Sequence, residues 1–159
     1  MAKKNTCPEC GSKQRSGKLP VEIDVAGVKV TDGSVVGPIC EQGHYTLSQS
    51  ELEESERRAA LAALTSINGP SGAVLRFARK SIGLRQTDLA VALGAAPETV
   101  CRWESNTHID RQVSLAMAQL LTMYDEQPEQ FDLIVRAEQP PLRTEPITVH
   151  VVPRRRHSA

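Results

Sequence analysis

Aromatic side chains are nearly missing from this chain: one Trp, two Tyr and two Phe in 159 residues. That excludes a large aromatic core, and a formal net charge of zero excludes bulk basicity as the sign of a partner. No apolar run approaches membrane-spanning length, and Lys3-Lys4 lead straight into a cysteine motif with no secretory signal. The expectation is a cytoplasmic protein without membrane association. In those reducing surroundings close Cys pairs hold metal more often than they form disulfides. Paired carboxylates, a nucleophile–base set and a phosphate-binding glycine loop are also lacking, so no enzyme is expected.

The zero charge is a sum of unlike parts. Residues 3–18 are basic, as are Arg76, Arg79, Lys80 and Arg85 and the run Arg154-Arg155-Arg156, whereas Glu51–Glu56 and Asp125–Asp132 are acidic. Nucleic-acid binding needs a local positive face, not a basic total.

Cys7-Pro8-Glu9-Cys10-Gly11 has the form of a zinc knuckle. Two thiolates separated by two residues bind one ion, and the glycine lets the backbone fold back toward the sulfurs. The redox version of Cys-x-x-Cys opens a helix in a thioredoxin-like setting, which nothing here supplies. Cys40 and His44 are the good candidates for a second ligand pair, with Glu41 or a water as the alternative to His44. A closed Cys3His set leaves no open coordination position, so the expected Zn2+ is structural. Between the pairs, Val21-x-Ile23-x-Val25, Val28-x-Val30 and Val35-Val36 read as three short strands. Turns at Gly27 and at Asp32-Gly33, the latter a hairpin signal, predict a three-stranded meander that joins the ligand pairs at one end. Its core is thin, and bound zinc supplies on the order of 10 kcal/mol of folding free energy to such modules.

Ser48-x-x-Glu51 and Ser50-x-x-Glu53 both fit a capping box, and the helix formers that follow predict one helix from about Gln49 to Ser66. Leu52, Leu61 and Leu64 give it a weak packing stripe, and its charged first half reads as a solvated face. Asn68-Gly69-Pro70-Ser71-Gly72 stops it and marks a domain boundary. A helix from about Ala73 to Ser81 follows, with Leu75, Ala78 and Ile82 inward and Arg79 beside them.

The stretch from about Arg85 to Asn106 reads as helix, sharp turn, helix. Leu89, Ala90 and Leu93 line one face, Gly94 provides a left-handed C-terminal cap, and Pro97 suits a first helical position. Val100 and Trp103 form the inner seam of the second helix, which leaves Glu98, Thr99 and Arg102 exposed near its start. Arg85 and Ala96 stand at the two N-cap positions without a side-chain acceptor, which predicts frayed first turns at a cost of roughly 1 kcal/mol each. Cys101 is expected to be a packing residue, with a redox-sensing thiol as the alternative. Beyond lie a buried helix from about Gln112 to Tyr124, carrying Val113, Leu115, Ala116, Leu120 and Leu121, and a short one from Pro128 to about Ala137 with Phe131, Ile134 and Val135 on one face. From Gln139 on, the proline-punctuated chain with Ile147-x-Val149-x-Val151 reads as a flexible basic tail.

The run Leu84, Gln86, Asp88-Leu89-Ala90, Leu93-Gly94, Thr99, Trp103-Glu104 resembles the Cro/repressor (Xre-type) helix-turn-helix family. The family's Thr-Ile-Ser-x-Trp-Glu stretch corresponds to Thr99-Val100-Cys101-Arg102-Trp103-Glu104. Where many members carry glycine two residues later stands Asn106, the next best residue for a left-handed backbone. The resemblance implies a structural Arg79–Glu104 pair and a dimer surface on the C-terminal helices. With the Cys-Pro-x-Cys-Gly module and the intervening helix, the order of parts resembles the MqsA-type antitoxins, also met as stand-alone regulators with the YgiT-type zinc finger. The second ligand pair of that family is Cys-x2-Cys, and here it is Cys40 and His44.

The reading is therefore α+β: a zinc-binding β module (1–47), a linking helix and hinge (48–70), a helix-turn-helix domain for DNA binding and dimerisation (71–138) and the tail (139–159). The resemblance implies a homodimer on a double-stranded operator palindrome in its own promoter, and a zinc domain that masks an mRNA-cleaving toxin. The alternative is a stand-alone zinc-containing transcription factor. Arg85 and Gln86, with Thr87 beside them, are expected to hold phosphates at a helix N-terminus. Arg102 suits a bidentate contact to guanine, Glu98 can accept from cytosine N4, Thr99 can meet a thymine methyl or a phosphate, and Asn106 and Thr107 can touch the DNA backbone.

Overall fold

The computed structural model describes residues 6–67 and 69–136; the expected tail lies outside the described residues. Four strands, β1 (Gln14–Lys18), β2 (Val21–Val25), β3 (Val28–Asp32) and β4 (Val36–Cys40), precede six helices. These are α1 (Gln49–Leu64), α2 (Gly72–Ser81), α3 (Gln86–Ala92), α4 (Pro97–Ser105), α5 (Arg111–Glu126) and α6 (Pro128–Arg136). The class is α+β, as expected.

The β region is not a meander. It is two antiparallel pairs, β1 with β4 and β2 with β3. The β2–β3 hairpin turns at Ala26 and Gly27, both at positive φ (52° and 89°), the backbone of a two-residue turn whose twist matches its strands. Asp32-Gly33 turns no hairpin. The Asp32 carboxylate instead accepts from the Ser34 N–H and O–H at 2.9 and 2.6 Å and from Arg58 Nε of α1 at 2.9 Å. With that side chain committed to a helix, the chain passes over to a second sheet. There β4 pairs with β1, Cys40 opposite Gln14 and Val36 opposite Lys18. The two ligand pairs meet at the end of this ribbon.

Helix α1 starts as its capping box requires: Ser48 Oγ accepts from the Glu51 N–H at 3.3 Å, and the Glu51 carboxylate accepts from the Ser48 N–H at 2.7 Å. Its buried face is Ser55, Ala59, Ala60, Ala63 and Leu64, while Leu52 and Leu61 of the expected stripe are only half-buried. Small residues let α1 lie close to β2, whose Val21, Ile23 and Val25 alternate inward, and to α2 and α5 on its other side. The apolar core is therefore continuous from Leu19 through α1 to Phe131.

Leu75, Ala78 and Ile82 are buried, and Arg79 and Glu104 form the expected pair, Nε to Oε1 at 2.6 Å. Arg76, Arg79 and Gln86 all donate to the Glu104 carboxylate, whose side chain has no exposed surface. Burial alone would raise that carboxyl, but the hydrogen bonds from Arg79 and Gln86 outweigh it and hold the group below its ordinary value. On α5 the seam runs through Ser114, Met117, Ala118, Leu120 and Leu121. The Ser114 hydroxyl donates to the Leu64 carbonyl at the end of α1, which turns Leu115 outward, 49% exposed, against expectation. Helix α6 buries Phe131 edge-on against Tyr124, ring centroids 5.1 Å apart, while Ile134 of its expected apolar face stays exposed. Among the described residues no helix is long and apolar enough to cross a membrane.

Candidate functional site

Two glycine turns present the ligand pairs. Gly11 (φ 71°) follows Cys10 and donates its N–H to the Cys7 carbonyl at 2.9 Å; Gly43 (φ 84°) donates to the Cys40 carbonyl at 3.0 Å. The Cys7 N–H bonds the Ser12 carbonyl and the Cys40 N–H the His44 carbonyl, so each loop closes on itself. Ligand atoms of Cys7, Cys10, Cys40 and His44 all lie within 4.8 Å of one another.

The spacing tests the fit to a metal. Cys10 and Cys40 sulfurs are 3.7 Å apart, and Cys7 Sγ is 3.8 Å from His44 Nδ1. A disulfide demands about 2.05 Å. Two sulfurs each about 2.3 Å from a tetrahedral ion stand about 3.8 Å apart. The four residues therefore fit one metal ion, with Cys7 and Cys40 buried and Cys10 and His44 half-buried. The hydroxyl and N–H of Ser12 beside Cys10 bring its thiol down to about 7, toward the thiolate a metal needs. The carboxylate beside the His44 ring is Glu9, 3.7 Å from Nδ1, and Glu41 is not part of the cluster.

A second candidate face is built by α3, the turn Leu93–Ala96 and α4. Gly94 is left-handed (φ 61°) and the Ala95 N–H reaches back to the Ala90 carbonyl at 2.8 Å, which ends α3 as its sequence predicts. The start of α3 differs from expectation. Arg85 has no acceptor to offer, but the Asp88 carboxylate accepts the Arg85 N–H at 2.8 Å and grips the guanidinium at 3.0 and 2.8 Å. The first turn is tied from inside the helix instead of frayed. An acidic residue three positions after the cap was a readable signal for it. Ala96 does lack a side-chain acceptor, and Pro97 fills the first helical position.

Along α4, Val100 and Glu104 are buried, Trp103 and Thr99 half-buried, and Glu98, Cys101, Arg102 and Ser105 exposed. Arg102 Nη2 lies 3.3 Å from Thr99 Oγ1. Cys101 thus faces solvent instead of packing inward, because Val100 and Glu104 hold the inner face and the next residue turns about 100° away. Arg85 and Thr87 are exposed, whereas the Gln86 amide turns inward, 2.8 Å from Glu104. Asn106 is not left-handed but extended (φ −81°, ψ 149°). Its carbonyl accepts the Gly72 N–H at 2.9 Å, and the Ile109 N–H bonds the Pro70 carbonyl at 3.1 Å, so the exit of α4 is stitched straight onto the entry of α2. Thr107 is exposed beyond it. Ser12 lies two residues after a ligand, a position the Cys-x-x-Cys spacing does not mark, and nothing local marks Gly72 as more than a breaker. A comparison with protein-family models, curated proteins and solved structures finds no match, so the cluster and the α3–α4 face stand on their own geometry and chemistry.

Proposed function

We propose that the protein is a sequence-specific DNA-binding regulator that works as a homodimer, with α4 its reading helix and a structural Zn2+ at the Cys3His cluster. The observation that carries the reading is the division of α4. Val100, Trp103 and Glu104 hold its inner side, leaving Glu98 in its first turn and Arg102 four residues on exposed along one edge, with Arg85 and Thr87 exposed at the start of α3. Helix, four-residue turn and helix with a polar second N-terminus is how a helix-turn-helix enters the major groove. Arg102 is the base reader, donating to guanine O6 and N7; Glu98 accepts from cytosine N4; Thr99 meets a thymine methyl or a phosphate. Arg85, Thr87 and Asn106 serve the phosphates, and Gln86, its side-chain amide held by Glu104, offers only its backbone N–H at the start of α3. Exposed Leu133 and Ile134 on α6 and Tyr124 on α5 supply apolar surface for pairing two copies.

The order of parts favours an antitoxin that represses its own operon and masks an mRNA-cleaving toxin with its zinc module. The Cys40-x3-His44 pair in place of Cys-x2-Cys favours a free-standing transcription factor instead. A pull-down from the native host separates the two. The DNA reading is tested by Arg102→Ala in binding titrations on a selected operator and on random duplex. Operator affinity should fall by roughly 1–3 kcal/mol, with relaxed preference at one base pair per half-site, while random-duplex affinity holds. Equal losses on both would reduce Arg102 to a phosphate contact.

A further inference from the structure

We propose that Ser12 is a positioning residue of the metal centre, its hydroxyl holding the Cys10 thiolate at ligand spacing from Cys40. The inference rests on the reading that the cluster binds a metal.

Ser12 joins the knuckle to β1. Its Oγ lies 2.9 Å from Cys10 Sγ. Those two sulfurs come from opposite ends of the β module and are 3.7 Å apart. The seryl backbone is fixed on both sides: its carbonyl accepts the Cys7 N–H at 2.8 Å, and the next residue, Lys13, bridges Thr6. Two residues further, Gln14 is in register with Cys40. The ribbon register thus brings a half-buried hydroxyl to the seam between the two ligand pairs.

The chemistry suits the place. Three thiolates, one neutral imidazole and a dication sum to one negative charge, and thiolate sulfur is an acceptor with no donor of its own. Two such sulfurs at this distance repel one another until a cation or a donor offsets the charge. An O–H on the Cys10 sulfur supplies that donor before the ion arrives and orients this ligand once it is bound. Cys7 and His44, the other two ligands, face each other directly at 3.8 Å.

The test is competition of the full-length protein against a zinc chelator of known affinity, with Co2+ absorption as a second readout. Wild type, Ser12→Ala and Ser12→Thr are compared. Ser12→Ala should still take one ion per chain, about 10–100-fold more weakly, with its thiolate-to-cobalt band shifted. Ser12→Thr, which keeps the hydroxyl, should restore both. Affinity of Ser12→Ala within about twofold of wild type and an unchanged cobalt spectrum overturns the role of the hydroxyl, and so does a threonine variant as weak as alanine. Wild type that takes up neither Zn2+ nor Co2+ overturns the metal centre itself, a result visible before any variant is made. Helical circular dichroism of the metal-free proteins guards against global misfolding: loss of helix in Ser12→Ala alone assigns Ser12 to folding and also overturns the proposal.

Discussion

At Gly72 the backbone of α2 runs against that of α4. A Cβ there would lie 2.1 Å from the Trp103 carbonyl oxygen and 2.6 Å from the Glu104 carbonyl carbon, and neither backbone atom can swing aside as a side-chain tip would. Gly72→Ala gains about 1 kcal/mol of helix propensity and still should destabilise the protein by about 1–3 kcal/mol, since overpacking against backbone dominates. Urea denaturation checks this; a midpoint at or above that of wild type contradicts the contact. The sequence presents Gly72 only as one more breaker in Asn68-Gly69-Pro70-Ser71-Gly72, because its neighbour in space lies about thirty residues along the chain. Cys101 and Asn106 were misread for the same kind of reason. Which side of α4 a residue faces, and whether its exit needs a left-handed residue, depend on the Glu104 and Gly72 contacts and not on local propensity.

At the scale of elements, the signals confined to one turn of chain were legible. The Ser48–Glu51 box sets the start of α1, Gly94 ends α3, Pro97 opens α4, and the Cys-x-x-Cys and Cys-x3-His spacings give all four members of the cluster. β1 was not legible. Gln-Arg-Ser-Gly-Lys has no apolar alternation, since it pairs in a two-stranded ribbon, and its partner β4 lies beyond an inserted hairpin. The joint between the β region and α1 was hidden too, because Asp32 looked like half of a turn. Burial would raise the Asp32 carboxyl, but the Ser34 hydroxyl and N–H, with Arg58, bring it down to about 2. A carboxyl lowered in the folded state stabilises fully above its ordinary value, and that stability is lost as pH falls from about 4 to about 2. Asp32→Asn should therefore cost about 2 kcal/mol at neutral pH and close to nothing at pH 2. Urea titrations of both proteins at the two pH values read the difference; any metal in the cluster leaves both in acid and cancels. A penalty that stays the same at pH 2 contradicts the ionic joint.

For the molecule as a whole, α1 is the shared wall, packed on β2 and β3 on one side and on α2 and α5 on the other. The zero net charge resolves into local faces, and on the proposed function the exposed edge of α4 is the one that meets DNA. Helix α4 is set by the buried Glu104, which Arg76, Arg79 and Gln86 tie to α2 and α3. The most direct measurement is selection by the full-length, zinc-supplemented protein from a random duplex pool at physiological ionic strength. A DNA-reading homodimer should enrich one palindromic sequence whose half-sites lie about one helical turn apart, or a small multiple of that, as two-fold symmetry requires. A recovered pool with no sequence preference over the starting one would contradict it.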